Sequence, residues 1–227
     1  MPRRRKLTGR IRVTKHLSSN AKKEVRAIAR KVARSMPEVK NTVFTEENIQ
    51  LFHNKVLYLG KWLACSQGTA DPNDASSRLM RVGDELLLRN INVRFWLSNK
   101  SDRPNVMYKA YLFWYDTGAT LSDTFNYFTN TNKMIDRVNN ENISVIDQKT
   151  IFSQNNYAVD ANNHERSQLC TLKASWKGKK IIYDEGGQAP KKRDLGVMIV
   201  CYDAYGTLQT DNIASLAYNG TVAYQDP

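Results

Sequence analysis

The chain has 227 residues, enough for one well-buried domain with a tail, and its 34 Lys and Arg against 22 Asp and Glu give a formal net charge of +12. Such an excess of cations predicts a polyanionic partner. No apolar run approaches the roughly 20 residues of a membrane-spanning helix and the start is basic, so we expect a soluble protein made inside a cell, with neither signal peptide nor membrane insertion.

The positive charge is concentrated at the beginning of the chain. Residues 1–40 hold 14 of the basic residues and only two acidic ones, whereas residues 41–227 carry 20 of each sign. This distribution predicts a basic nucleic-acid-binding arm, residues 1–40, followed by an electrically balanced globular domain, residues 41–227.

Residues 1–17 combine many cations with little apolar material. We expect this stretch to be disordered until it meets an anion, because it has too few apolar groups to form a core. Its candidate nucleic-acid-binding residues are Arg3, Arg4, Arg5, Lys6, Arg10, Arg12 and Lys15.

From about residue 19 to residue 36, apolar residues recur every three or four positions, which predicts one amphipathic helix. Ser19 or Asn20 can cap its start, and Pro37 must stop it. The apolar stripe is too weak to hold an isolated helix, so we expect it to pack on the body or on other copies; a solvated charged face is the alternative. The other faces add the candidates Lys22, Lys23, Arg26, Arg30, Lys31 and Arg34.

After residue 40 the periodicity becomes that of β-strands. Ile91, Val93, Phe95 and Leu97 alternate with polar residues and Trp96, as expected for a half-buried strand. Residues 107–115 are dense in aromatics and lead into a turn at 116–118, which is typical of a central strand. Further candidate strands span residues 143–152, 169–176, 195–202 and 216–224.

These segments amount to roughly eight strands without regular alternation with helices, which predicts an all-β sandwich rather than a parallel α/β sheet. Several connections are longer than hairpin turns, as expected where strands cross between two sheets. The longest, residues 117–142, has room for a short helix at 121–128.

Catalytic motifs are missing from the sequence. The three histidines, His16, His53 and His164, are far apart, and no nucleophile elbow or phosphate-binding loop is present. The three cysteines, Cys65, Cys170 and Cys201, have no metal-ligand spacing and are interpreted as buried free thiols. We therefore expect no enzyme and no cofactor.

Two groups of charged residues leave alternatives open. Acidic residues near strand ends could bind a structural Ca²⁺ between subunits, although caps and turn bonds are the favoured interpretation; they are Asp116, Asp123, Asp136, Asp147, Asp203 and Asp211. Two basic clusters, assigned to loops, serve either solubility or contact with nucleic acid. They comprise Lys177, Lys179, Lys180, Lys191, Lys192 and Arg193.

Three segments resemble coat proteins of very small icosahedral viruses. Arg81-Val82-Gly83-Asp84, which leads into residues 85–93, resembles the R-x-G-D/N segment of satellite tobacco necrosis virus-like coat proteins and of the capsids of circular Rep-encoding single-stranded DNA viruses. Residues 107–116 resemble the following aromatic strand of those proteins, which ends F-W-[FY]-D. The basic start, residues 1–6, resembles the arms of the DNA viruses, although those arms are usually richer in arginine and the regular helix of this arm is closer to the satellite-virus type.

The resemblance implies an eight-stranded single jelly roll in which Gly83 supplies a turn and Asp84 starts a strand. It also implies a T=1 icosahedral shell of about 60 copies with the arms directed inward. We expect such a coat protein to package a single-stranded genome, with DNA favoured over RNA. It would reside in the virion, and before assembly in the host nucleus and cytoplasm, where a receptor or a nuclear import factor is a further possible partner.

A different class of protein fits the same sequence. A monomeric or small-oligomer nucleic-acid-binding protein, such as a movement or nuclear shuttle protein, would use the arm as a localisation signal and the β-domain to bind partners. Particle size distinguishes the two hypotheses, because a shell is on the order of a megadalton.

Overall fold

The computed structural model describes residues 18–35, 39–68, 80–103, 105–154, 167–205 and 208–226, without the side chains of residues 30 and 33–35. The chain divides into two units, Met1–Pro37 and Glu38–Pro227. The first strand begins at Val39, slightly before the predicted domain boundary at residue 40. The expectation of disorder in residues 1–17 lies outside the described residues.

The first unit contains the helix α1, Ser19–Ser35, close to its predicted limits of 19 and 36. Ser18 caps it, because its Oγ accepts a hydrogen bond from the backbone N–H of Ala21 (3.1 Å). The prediction of Ser19 or Asn20 as the cap is therefore wrong by one residue. On α1, the apolar Val25, Ile28 and Val32 are exposed.

The second unit is an antiparallel β-sandwich, hereafter the shell domain. Its long strands are β1 (Val39–Phe52), β2 (Val56–Leu59), β5 (Glu85–Asn99), β6 (Asn105–Asp116), β7 (Ile143–Gln154), β8 (Ser167–Ile182), β9 (Arg193–Asp203) and β10 (Asn212–Gln225). The short strands β3 (Ser66–Gln67) and β4 (Met80–Arg81) pair in parallel, and the helix α2 (Asp123–Asn126) lies within the predicted range 121–128.

The strand order is that of a single jelly roll. One sheet has the order β1-β10-β5-β8 and the other β2-β9-β6-β7. Apart from the connection between β6 and β7, every connection between successive long strands crosses from one sheet to the other. The all-β, eight-stranded jelly-roll prediction is confirmed.

The main core lies between the two sheets. In β5 the predicted alternation holds: Ile91, Val93, Phe95 and Leu97 are buried, while Trp96 on the opposite face is exposed. The strands β6 and β9, by contrast, are buried along most of their length on both faces. Two-sided burial requires a second apolar layer outside the β2-β9-β6-β7 sheet.

The connection between β6 and β7 provides that layer. Its Tyr127 and Met134 form a second buried cluster with Tyr111, Phe113 and other residues of the sheet. Lys133 fastens the connection: its buried Nζ donates to the carbonyl of Asn54 (2.8 Å) and pairs with Asp123 (3.0 Å). The outer face of one sheet is therefore covered by the domain's own chain.

The segment that carries the viral resemblance is built around Arg81. This side chain is fully buried, and its guanidinium donates to the backbone oxygens of Gly83, Asp184 and Gly187. The following strand begins at Glu85, one residue later than the resemblance implied. Gly83 has no left-handed φ and its Cβ position is open, so the bend there does not require glycine.

The cysteine prediction is confirmed. Cys65, Cys170 and Cys201 are free thiols and all three are buried. Burial raises the pKa of the Cys170 thiol to about 11, so this sulfur stays protonated and unreactive at neutral pH.

Candidate nucleic-acid interface

The helix α1 presents part of the predicted binding set to solvent. Lys22, Lys23, Arg26 and Lys31 are all exposed on it. Arg30 and Arg34 lie in the same helix, but their side chains are outside the described residues, as are all of Arg3, Arg4, Arg5, Lys6, Arg10, Arg12 and Lys15.

The cations near the start of α1 destabilise the helix. Its first turn holds no acidic residue, and Lys22 and Lys23 lie near the positive end of the helix dipole. Lys22 and Arg26, four residues apart, are neighbours on the helix surface and repel each other. A bound polyanion would relieve both penalties, so α1 is suited to gain stability on contact with phosphates.

A second basic surface lies on the shell domain, where the structure brings the two predicted clusters together. The assignment of these clusters to loops is wrong for most of their residues: Lys177, Lys179 and Lys180 lie in β8, and Arg193 begins β9. The connection between these strands folds back on itself, with the N–H of Lys191 donating to the carbonyl of Ile182 (2.8 Å).

The result is one groove of about 300 Å³, hereafter the basic groove. Its lining includes Trp114 and five cations: Lys179, Lys180, Lys191, Lys192 and Arg193. Sequence reasoning missed Trp114, since it lies on β6, far from the basic clusters in the sequence.

Two of the five cations are paired with carboxylates. Lys180 forms an ion pair with Glu85 (2.5 Å) and Lys191 with Asp184 (2.7 Å). Lys179 places its Nζ over the Trp114 ring, 4.0 Å from the centroid, while Arg193 donates to the Ser144 hydroxyl (3.2 Å).

The groove retains an excess of positive charge. Burial, and then the nearby Arg193, lower the pKa of Lys179 below the usual lysine value. A bound phosphate or sulfate group would relieve the repulsion between these cations. The groove is therefore suited to an anion.

Only some of the acidic residues proposed as Ca²⁺ ligands make the turn bonds of the favoured interpretation. Asp136 does so, because it accepts from the N–H groups of Thr129, Asn130 and Arg137. Asp147 instead accepts from the N–H of Lys173, 26 residues later on β8. No cluster of three or more His, Cys, Asp or Glu able to hold a metal occurs among the residues described. Within those same ranges, none of the helices has the length and apolarity to cross a membrane.

The chain matches no protein-family model and no curated protein. It is similar to solved structures of viruses, each at 11% sequence identity. For Desmodium yellow mottle tymovirus the similarity covers 84% of this chain and 89% of that chain, with a TM-score of 0.36. For empty-head turnip yellow mosaic virus the coverage is 84% and 82%, with a TM-score of 0.35. For tomato aspermy virus it is 90% and 95%, with a TM-score of 0.34. These superpositions are loose, and the fold assignment rests on the strand order given above.

Proposed function

We propose that this chain is a viral coat protein that assembles into a small T=1 icosahedral shell and packages single-stranded nucleic acid through its basic arm. The observation that carries the proposal is the separation of charge. Residues 1–40 hold the whole net charge of +12, while the jelly-roll domain is electrically balanced. A balanced sandwich can approach its copies without net repulsion, and a cationic arm needs a polyanion.

The jelly roll alone does not select this function, because the same fold serves lectins and cupins as well as capsids. The basic arm is what favours a coat protein over the other functions of this fold. Its α1 segment exposes Lys22, Lys23, Arg26 and Lys31. Contacts from such residues to phosphates are independent of sequence and weaken steeply with salt.

The charge of the arm sets the scale of the genome. About 60 copies with +12 each would place roughly 720 positive charges inside the shell, enough to neutralise several hundred phosphates. A genome of about one to two kilobases is of the same order, with counterions neutralising the remaining phosphates. The resemblance of residues 1–6 to the arms of single-stranded DNA viruses favours DNA over RNA, and a protein in this role needs neither a catalytic group nor a cofactor.

This assignment places the chain in the virion, and in the host cytoplasm and nucleus before assembly. It would need two further partners: a nuclear import factor that binds the basic arm, and a host receptor that binds the outer surface. The exposed cations of α1 are accessible to an import factor before assembly.

The test compares the full chain with a chain that lacks residues 1–36. Both are examined by negative-stain microscopy and sedimentation, with the ratio of absorbance at 260 and 280 nm recorded for each fraction. We expect uniform particles about 20 nm across that contain nucleic acid only when the arm is present. A full chain that stays near 26 kDa in every salt and pH would instead support the shuttle-protein hypothesis.

A further inference from the structure

The two sheets of the shell domain differ in what lies outside them. The β2-β9-β6-β7 sheet is covered by the connection between β6 and β7. The outward side chains of the other sheet, β1-β10-β5-β8, are largely exposed or half-buried over its central rows. We call these outward side chains the polar face.

The register of the strands places amides, hydroxyls and two cations in adjacent rows of the polar face. Asn219, Arg94 and Thr171 pair across β10, β5 and β8 in one row, and Thr221, Asn92 and Lys173 pair in the next. No Asp or Glu occupies either row. The nearest carboxylates are at the margins, in the β1 bulge and on β7 beside the Lys173 backbone.

Trp96 stands in the row beside Arg94 on the same face. Its side chain is 56% exposed, while Trp62 and Trp114 are buried in the core. Its cross-strand neighbours are Leu169, itself 77% exposed, and Ala217, so no aromatic ring covers the indole from the paired strands. Because side chains on one face of a strand repeat about every 6.6 Å, Arg94 lies within reach of a phosphate whose base contacts Trp96.

We propose that the polar face binds single-stranded nucleic acid, with Trp96 stacking on a base while Arg94 and Lys173 bind phosphates. An exposed indole beside cations, without interspersed carboxylates, is the pattern that binds single strands with little sequence preference. The neighbouring Asn and Thr side chains supply donors and acceptors for bases and sugars. This inference rests on the proposed packaging function and adds a contact in the shell domain to that of the arm.

Charge argues against other occupants of this face. A second copy docked with Arg94 and Lys173 near a two-fold axis would set these cations against the same cations of its partner. A polyanion is the occupant whose charge complements the face.

The experiment uses the full chain and titrates it with oligothymidylate and, separately, with polyphosphate, which has phosphates but no bases. Ionic strength is raised to about 0.5 M to weaken the contacts of the arm. The variants are Trp96→Ala and Trp96→Phe, and the control is Phe152→Ala, which removes an exposed aromatic ring from the other sheet. Thermal unfolding checks that each variant folds.

We expect Trp96→Ala to bind oligothymidylate roughly 5- to 100-fold more weakly than the wild type, since one base loses its stacking partner. Trp96→Phe and Phe152→Ala should stay within about threefold of the wild type, and no variant should change the affinity for polyphosphate. Oligothymidylate should also quench the wild-type tryptophan fluorescence more than that of Trp96→Phe.

Three results would overturn the inference. Equal oligothymidylate affinity for Trp96→Ala and Phe152→Ala would show that no base stacks on Trp96. A loss of particles in sedimentation at unchanged affinity would make the face a contact between copies. Failure of the wild type to bind either polyanion at any salt would remove the packaging function as well, whereas the first two results leave that function standing.

Discussion

Arg81 is the largest fully buried side chain among the described residues, and its surroundings explain how a charge is tolerated there. Its guanidinium donates to three backbone oxygens, pairs with Asp84 (3.2 Å) and lies 4.4 Å from the centre of the Tyr183 ring. These bonds tie the start of β5 to the connection between β8 and β9. The residue that carries the viral resemblance thus acts as a structural clamp in this protein.

We predict that Arg81→Ala lowers the free energy of unfolding by about 3 kcal/mol, because it leaves buried carbonyls without donors. Arg81→Lys should recover only part of this loss, since an ammonium cannot reproduce the planar fork of donors. Denaturant unfolding of unassembled protein measures both effects. Arg94→Ala, which removes an exposed arginine from β5, is the control and should cost less than about 0.5 kcal/mol; a similar loss in the control would contradict the clamp.

Asp194 is a buried carboxylate with two backbone donors. Its Oδ1 accepts from the N–H groups of Leu63 (2.9 Å) and Leu195 (2.7 Å). Burial outweighs these bonds and raises the pKa of Asp194 from 3.8 to about 6. The folded protein therefore binds a proton at this site more tightly than the unfolded chain does.

The raised pKa of Asp194 predicts a stability change between about pH 4 and pH 6. Its contribution is fully present below pH 4 and is lost as the pH rises through 6, because the unfolded state ionises first. The loss amounts to about 3 kcal/mol at most. Asp194→Asn keeps an acceptor but cannot ionise. The unfolding free energy of the variant minus that of the wild type should therefore rise across this range. A constant difference from pH 4 to pH 7 would show that the pKa is not raised.

At the scale of elements, the strands were predictable where one face is buried and the other is not. The alternation of Ile91, Val93, Phe95 and Leu97 identified β5 because this strand lies inside a sheet with one solvated face. The cluster of Lys177, Lys179 and Lys180 was misassigned to a loop for a related reason. It lies in β8, an edge strand, where lysines are tolerated and disfavour pairing with other chains, so the strand resembles a polar connection.

Other features depend on contacts between distant segments and left no local pattern. Arg81 is buried by residues about a hundred positions later, and the basic groove forms only when the β8–β9 connection folds back towards Trp114. The polar face could not be predicted for the same reason, because each strand contributes only one residue to a row. Sequence predicted the helix α1 and the fold class, and tertiary pairing was needed for both surfaces of the shell domain.

For α1 we predict that replacing Lys22, Lys23 and Arg26 with Gln reduces the salt dependence of nucleic-acid binding. Each lost phosphate contact lowers the slope of log K against log salt by about 0.7 for a single strand, so the triple variant should lose about 2. Titrations of full chain with a labelled oligonucleotide at several salt concentrations measure the slope. The matched control replaces Lys55, Lys100 and Lys149, which are exposed on the shell domain; an equal loss in the control would mean that charge acts irrespective of position.

For the whole molecule, the separation of charge would make the proposed assembly a balance between two opposing effects. The shell domains are electrically balanced and would meet without net repulsion, while arms at +12 would repel once they share an interior. Nucleic acid would turn that repulsion into attraction, so the proposed shell and its genome would each need the other. Salt weakens both the repulsion and the attraction.

We therefore predict opposite responses to salt with and without nucleic acid. Free of nucleic acid, the full chain should form few particles at about 0.05 M salt and more at about 1 M, where the screening length falls to about 3 Å. With single-stranded nucleic acid, particles should form at low salt and release their contents as salt rises. Sedimentation measures both series, and the chain lacking residues 1–36 should respond weakly in either. If that shortened chain shows the same salt response as the full chain, the charges that control assembly lie in the shell domain and not in the arm.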